Sequence, residues 1–397
     1  MSIIKVCILT PFYLPSYKGG GPIKSVKNIV ESLKDSGVKF YIICNDRDLG
    51  DLKSFDGQVL NKWVDVGGGK VFYLEKGALS FYRLAKAIKS VDFDILYLNS
   101  FFSPLFSLVP FLMWRFNFLK KRLKLILAPR GEFSEGALKL KSGKKTIYIN
   151  FLKILGIRNS VIYHATSDSE LNDIHSVIGH KNIDVCVASN LPDKVNINSF
   201  ETIDLSSFDS KFKLVFLSRI SPKKNLDYAL RVLALVKNEV EFDIYGPKED
   251  NSYWQTCVKL IESLPNHISV NYCGSVKPEE VSAVFSKYDL FFFPTHGENY
   301  GHVIAESLSV GTPVLLSNQT PWRNLEVDQL GWDLSLDSIK YFVEKIEAMA
   351  NLTLEERKSV RRKVLKNGFR RVNCEADIQA TRRLFEFAVE RRKEGEN

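Results

Sequence analysis

One stretch restricts the fold more than any other: Phe291-Phe292-Phe293-Pro294-Thr295-His296-Gly297-Glu298-Asn299-Tyr300-Gly301-His302-Val303-Ile304-Ala305-Glu306, continuing to Gly311-Thr312-Pro313-Val314-Leu315-Leu316. Asp289 to Phe293 is an apolar run of the kind that forms a parallel strand buried on both faces. A polar, glycine-bearing loop follows, and Val303 to Val310 then has the apolar spacing of a short helix. Gly311 stands where a left-handed cap ends a helix, and Pro313 forbids its continuation. Val314 to Ser317 reads as the next strand. A strand–loop–helix–strand unit of this kind predicts an open parallel sheet. Loop 294–302 then lies outside the carboxyl ends of the strands, where such sheets bind ligands.

The loop has its own chemistry. The amides of Tyr300, Gly301 and His302 would open the helix and could receive a phosphate at its positive end. Gly297 and Gly301 permit close backbone approach. Glu298 and Glu306 would repel a phosphate, so beside one they make sense as acceptors for sugar and ribose hydroxyls. The plainer alternative, solvated acids that complement the helix dipole, stays open on these residues alone. The stretch resembles the signature of family 4 glycosyltransferases, retaining enzymes of the GT-B fold that carry two glutamates separated by seven residues. The resemblance implies that Glu298 faces the donor sugar and Glu306 binds the nucleotide ribose, with Asn299, Tyr300 and Gly301 at the nucleotide sugar.

A chain of 397 residues is too long for one ordinary core, so two domains are expected. Its 45% hydrophobic and 12% aromatic content excludes a disordered chain. Cys7, Cys44, Cys186, Cys257, Cys273 and Cys374 show no metal or redox spacing. Cys7, Cys44 and Cys273 lie in apolar, strand-like runs, which suits reduced, buried thiols in a cytoplasmic protein. No secretory leader and no apolar segment of spanning length is evident. Residues 1–200 hold 28 basic and 17 acidic residues, whereas 201–397 hold 27 and 29. The basic half calls for an anionic partner: a phosphate-bearing substrate or an acidic membrane surface. Nucleic acid is not expected, because no recognition motif accompanies the charge.

In the first half, Ile3 to Thr10 reads as a buried strand. A loop with Gly19, Gly20 and Gly21 follows, then an amphipathic helix from about Ile23 to Ser36 and a strand from Lys39 to Cys44. This order is similar to a dinucleotide-binding unit, but the glycine spacing does not fit the dehydrogenase fingerprint. Within the resemblance the glycine loop lies beside the donor phosphates and the acceptor. Asp94 to Asn99 is another buried strand. The pairs Asp46/Asp48 and Asp92/Asp94 have carboxylate spacing but are read as chance. Phe101 to Lys124 joins aromatic and apolar residues to a basic end, a composition shared by a helix lying on a membrane surface and a core helix with a solvated end. Leu125 to Leu127 leads to Pro129-Arg130-Gly131, where family members commonly have a histidine directed at the donor sugar. Arg130 is therefore a candidate for positioning the donor or holding an anionic acceptor group. His164 is expected to be structural, and Ser167 or Asp168 caps the helix that carries Glu170.

Residues 193–211 read as a linker. Leu214 to Ser218 is the first strand of a new sheet, followed by Arg219-Ile220-Ser221-Pro222-Lys223-Lys224-Asn225. Two cations, Arg219 and Lys224, on one loop at a strand end suit a departing diphosphate. The family has Arg and Lys at this interval, and Asn225 replaces its usual glycine. Phe242 to Pro247, with Gly246, and the turn around Val276 complete the expected nucleotide-sugar contacts. Three helices close the chain.

The alternation of strands and helices predicts an α/β fold of two doubly wound domains. The resemblance, specific over 214–332 and looser over 1–195, implies GT-B, with two Rossmann-like domains facing across a cleft. The expected division is an acceptor-binding domain at 1–195, a nucleotide-sugar-binding domain at 196–374 and a helix at 375–397 crossing back to the first. The implied activity is a retaining, metal-independent glycosyl transfer with Glu298, Arg219, Lys224 and Arg130 at the reaction. No cofactor is expected beyond the nucleotide sugar, linked to UDP or GDP. The acceptor would be a glycan, lipid-linked at the inner face of a bacterial membrane, in surface polysaccharide or lipopolysaccharide synthesis. A GT-B epimerase and a non-catalytic nucleotide-sugar-binding protein are the rival readings.

Overall fold

The computed structural model describes residues 3–139, 142–193, 211–372 and 375–394. They form two compact units, Met1–Lys194 with Glu375–Asn397, and Val195–Cys374, each built on one sheet. Most of the linker expected over 193–211 lies outside the described residues, as does Cys374.

The first unit contains β1 (Ile4–Leu9), β2 (Val38–Asn45), β3 (Trp63–Val66), β4 (Gly69–Leu74), β5 (Ile95–Asn99), β6 (Lys124–Ala128), β7 (Ile162–Ala165) and β8 (Asp184–Val187). Their order in the sheet is β3-β4-β2-β1-β5-β6-β7-β8, parallel except for β3, which pairs antiparallel with β4. The order reverses between β1 and β5, so the carboxyl ends of those two strands flank the crevice of the sheet. Every residue of β5 is buried, which is why it reads as an unbroken apolar run. The last helix, Glu375–Glu394, packs on this sheet through Leu384, Phe385 and Ala388, with Phe385 edge-on to Phe40 and Tyr97.

Phe101 to Lys124 does not form one surface helix. A single π-helical turn, Pro104–Leu108, runs into a short helix, Val109–Arg115, with Pro110 in its first turn. Phe101, Phe106, Phe111, Met113, Leu119 and Leu123 are all buried beneath the sheet's helical layer. Burial of each large side chain contributes about 1.5–3 kcal/mol, so the core outcompetes any outer surface for them. Of the basic end, Lys120 pairs with Asp92 at 2.8 Å and Arg122 pairs with the same carboxylate.

The second unit contains β9 (Lys213–Leu217), β10 (Val240–Tyr245), β11 (Ile268–Gly274), β12 (Leu290–Phe293), β13 (Val314–Ser317) and β14 (Gly331–Leu334). All are parallel, in the order β11-β10-β9-β12-β13-β14, with the reversal between β9 and β12. Phe291, Phe292 and Phe293 are fully buried at the centre. Asp289 precedes β12 and accepts from Lys213 N and Arg357 Nη1, both at 2.9 Å, which explains a carboxylate at the head of an apolar run. Cys7, Cys44 and Cys257 are buried, but Cys273 is exposed. It lies on β11, the edge strand, where Asn271, Tyr272 and Cys273 are exposed in succession.

Candidate active site

The reversal of strand order in the second unit brings two loops together. Residues 218–225 leave the carboxyl end of β9, and residues 294–301 leave that of β12. The second loop is hydrogen-bonded to its neighbours on both sides. His296 N and Thr295 Oγ1 donate to Lys223 O at 2.9 and 3.0 Å, and Asn225 Nδ2 donates to Pro294 O at 2.8 Å. From the end of β13, Ser317 Oγ donates to Thr295 O, and from beyond that strand Trp322 Nε1 donates to Tyr300 O at 2.6 Å. This bracing fixes the loop before any ligand arrives.

Within that frame Lys224 Nζ donates directly to Glu298 Oε1, with only 10% and 14% of the two side chains exposed. The amine also lies 5.5 Å from the centre of the Phe293 ring. Desolvation of the Lys223 amine pulls it below its ordinary pKa although the residue as a whole is exposed; Glu298 opposes this, and the charges of Lys224 and Arg219 add to it. Three cations therefore sense one another on a seven-residue loop, a field that a diphosphate would relieve. Arg219 Nη1 donates to Glu249 Oε1 at 2.6 Å, and both side chains are about half exposed. No motif singled out Glu249, which occupies one nitrogen of the Arg219 guanidinium.

Backbone geometry accounts for several of the sequence candidates. Asn225 adopts a left-handed conformation, φ 60° and ψ 40°. Asparagine tolerates this region best after glycine, so the departure from the family pattern keeps the same turn. Gly301 caps the His302–Ser309 helix at φ 81°, and a Cβ there would lie 2.7 Å from Ile304 Cδ1. Glu306 is half-buried on that helix, and Asn299 and Tyr300 are half-buried in the loop before it. Gly246, at the end of β10, touches the backbone of Ser218 so closely that no side chain fits. Val276 is half-buried against the core of the second unit.

The first unit has a polar cluster at its own strand reversal. Asn99, the last residue of β5, donates through Nδ2 to Thr10 Oγ1 beyond β1 at 3.3 Å, and its Oδ1 accepts from Arg130 Nε at 2.8 Å. Arg130 also donates from Nη1 to Asn190 Oδ1 and from Nη2 to Tyr97 OH at 2.7 Å. Arg130 holds φ 55° and Ser100 φ 142°, positions where bulky or branched residues are uncommon. Carboxylates hold both: Glu132 accepts from Ser100 Oγ at 2.7 Å and from the amides of Phe101 and Phe102, and Glu170 accepts from Gly131 N at 2.5 Å and Thr166 N at 2.8 Å. Ser167 is the cap of the helix bearing Glu170. Sequence reasoning missed Tyr97, Asn99, Asn190, Glu132 and the anchoring role of Glu170, because each is a common residue whose partners lie far away along the chain.

His164 completes the chain of bonds. Its Nε2 must donate to Ala188 O at 2.8 Å, so Nδ1 accepts from Tyr97 OH at 2.6 Å, and that hydroxyl in turn accepts from Arg130. Burial, reinforced by the Arg130 charge, pushes the imidazole down to about 3 from an ordinary 6.5. Below pH 6.5 the unfolded chain therefore takes up a proton that the folded chain refuses, and stability is lost as pH falls. Lowering the pH from 7 to 5 should cost the wild type about 2 kcal/mol more than it costs His164→Gln, read from urea unfolding. Equal pH dependence of the two proteins would show that His164 titrates normally.

The glycine loop lies nearby in the chain. Asp48 Oδ2 accepts from Tyr17 N and Lys18 N at 2.9 and 3.2 Å, and Gly20 takes φ 69° at the start of the Gly21–Leu33 helix. A Cβ on Gly19 would meet Ile23 Cδ1 at 3.0 Å. Asp46 pairs with Arg47, and Asp94 accepts from Lys5 N, so these carboxylates serve protein donors. Among the described residues no three His, Cys, Asp or Glu side chains gather as a metal site.

A family model described as "Glycosyl transferases group 1" matches residues 200–366. Over that stretch the chain is similar to the group 1 glycosyltransferases. The matched stretch contains Arg219, Lys224, Gly246, Val276, Asn299, Tyr300, Gly301, Glu298 and Glu306, whereas Arg130 and Gly19 to Gly21 lie outside it. Over 134 residues the chain is 25% identical to the GtfA subunit of a UDP-N-acetylglucosamine–peptide N-acetylglucosaminyltransferase of Streptococcus pneumoniae, a match covering 33% of this chain and 25% of that protein. It is 29% identical over 122 residues to the alpha-monoglucosyldiacylglycerol synthase of Streptococcus pneumoniae, covering 31% of this chain and 28% of the synthase. The matches to these curated relatives span only about a quarter of their length. The crystal structure of Anabaena HepE in complex with UDP-glucose superimposes with a TM-score of 0.67 at 14% identity, covering 96% of this chain and 99% of that one. The fold is GT-B.

Proposed function

We infer that the chain transfers a sugar from a nucleotide sugar, linked to UDP or GDP, to a hydroxyl of a glycan acceptor, with retention at the anomeric carbon and without a metal. The reading rests on one observation: Lys224 and Glu298 meet at the strand reversal of the second unit, beside two further cations on the same loop. Arg219, Lys224 and the amides of Tyr300 and Gly301 stabilise the leaving diphosphate. Glu298 accepts from a hydroxyl of the donor sugar and Glu306 from the ribose. Gly246, Val276 and Asn299 line the nucleotide sugar, and Gly19, Gly20 and Gly21 give it room for close backbone approach. Arg130 positions an anionic group of the substrate. The bond from the anomeric carbon to the phosphate oxygen breaks, the acceptor oxygen bonds to that carbon on the same face, and the acceptor proton passes to the departing phosphate. HepE holds UDP-glucose on a similar fold, and one relative is named for a glucosyldiacylglycerol, which supports UDP as carrier and a lipid-linked acceptor; we assign that acceptor to surface polysaccharide or lipopolysaccharide synthesis. The protein then works in the cytoplasm at the inner face of the membrane.

A thermal-shift panel of nucleoside diphosphates and nucleotide sugars tests the donor. A cognate ligand at about a hundred times its Kd stabilises the folded state by about 2.7 kcal/mol, a rise of several degrees. No rise with any nucleotide would overturn the reading. Conversion of the donor to an epimer with no acceptor present would replace transfer by epimerisation.

A further inference from the structure

The helix Ser142–Ile154 of the first unit has apolar residues on two sides. Ile149 and Leu152 are buried in the core, and Tyr148 donates to Phe101 O at 3.1 Å. On the other side Ile147, Phe151 and Ile154 are 73%, 45% and 84% exposed. Steps of four and three residues place them in one line along the helix. The end of this helix meets the end of Val109–Arg115, where Arg115 Nε donates to Leu155 O at 3.0 Å. Just beyond Arg115, Phe116 and Phe118 are likewise exposed. Five large apolar side chains on two adjoining segments thus face water, more than scattered surface hydrophobics account for.

The charge around them selects the occupant. Residues 142–160 carry Lys144, Lys145, Lys153 and Arg158 and no acid, and residues 109–124 carry five basic residues and no acid. Asp92 offsets Lys120 and Arg122, whereas Lys121 lies over the Trp114 ring at 4.7 Å. A second copy of the same basic face would be repelled. A surface that is apolar within and anionic outside is complementary, and lysine stems can lie along it with their amines at the headgroups. We propose that the line Ile147, Phe151 and Ile154, with Phe116 and Phe118, seats on the surface of a bilayer containing anionic lipid. The helix lies in the interface and does not cross it, since among the described residues no helix is long and apolar enough to span. Of segment 101–124 only the exposed Phe116 and Phe118 take part, the rest of the contact coming from helix Ser142–Ile154, and the inference rests on the transferase reading only in giving the membrane an acceptor.

Sedimentation of the full chain with vesicles tests it. The wild type should pellet with phosphatidylcholine vesicles containing phosphatidylglycerol, remain in solution with phosphatidylcholine alone, and be released by high salt. The triple variant I147Q/F151Q/I154Q should bind anionic vesicles at least about tenfold more weakly, with its melting temperature unchanged. A wild type that stays in solution with anionic vesicles overturns the proposal, as does a triple variant that sediments equally. A wild-type dimer in the ultracentrifuge, abolished in the triple variant, would assign the face to a second copy instead. The nucleotide thermal shift on the same samples separates the two readings: vesicle binding lost with the shift intact counts against this face alone, and the reverse counts against transfer alone.

Discussion

Replacing Lys224 with alanine is expected to lower kcat/KM for the nucleotide sugar by about two to three orders of magnitude, the cost of removing one preorganised charge-stabilising group. Lys224 is almost fully buried against Glu298, and its loop is hydrogen-bonded to residues 294–301, so the amine is held in place before charge develops. Negative charge grows on the leaving diphosphate as the glycosidic bond breaks, so most of the loss should fall in kcat rather than KM. Glu298→Gln should also be severe, because it would remove the acceptor proposed for a sugar hydroxyl and weaken the charge that holds the lysine in position. The two residues touch, so the double variant should lose far less than the product of the single losses. Arg219→Ala should be milder, about tenfold, since Arg219 is half exposed and already paired with Glu249. Steady-state kinetics with a labelled donor decide the matter. Lys224→Ala within about threefold of the wild type, with folding intact by circular dichroism, would remove the lysine from the reaction.

Much of the fold was legible because parallel strands buried on both faces are unbroken apolar runs. β5, β12 and β13 sit within a residue of where the sequence places them. The hairpin of β3 and β4 was not legible: Gly67, Gly68 and Gly69 interrupt it, and its edge strand is only partly buried. Composition left the surface of the first unit undecided between a core helix and a membrane-surface helix for a physical reason. An aromatic run with a basic end has the same residues whether the sheet or a bilayer covers it, and here the sheet covers Phe106, Phe111 and Met113. The exposed line of Ile147, Phe151 and Ile154 was masked in the sequence by the buried residues interleaved with it. At the site, Arg219, Lys224 and Glu298 could be named singly from their loops. That Lys224 and Glu298 touch, although 74 residues apart, follows from the strand order alone. The Arg219–Glu249 pair and the Arg130 cluster have no local signature, because their partners come from other loops.

Gly246→Ala should cost the second unit more than about 4 kcal/mol, among the largest effects of any single substitution. A Cβ at this position would lie 1.8 Å from Ser218 O and 2.6 Å from Ser218 C, and φ is 136°, where side chains are strained in any case. Retreat is blocked on each side. Ser218 N donates to Tyr245 O, Ile220 N to Pro247 O, and Gly246 N to Gly274 O, all within 3.0 Å, so moving the loop breaks ladder bonds at the ends of β9, β10 and β11. Gly274→Ala provides the control: φ is 80° but nothing lies within 4 Å, so only the left-handed penalty of about 1–2 kcal/mol applies. Urea unfolding of the two variants should separate them clearly. Any Gly246→Ala protein that folds should also bind nucleoside diphosphate poorly, because the displaced segment is the one that leads to Arg219, Lys223 and Lys224. If the two variants prove equally stable, β9 and β10 do not approach this closely, and Gly246 is left with contact to the nucleotide as its reason for being glycine.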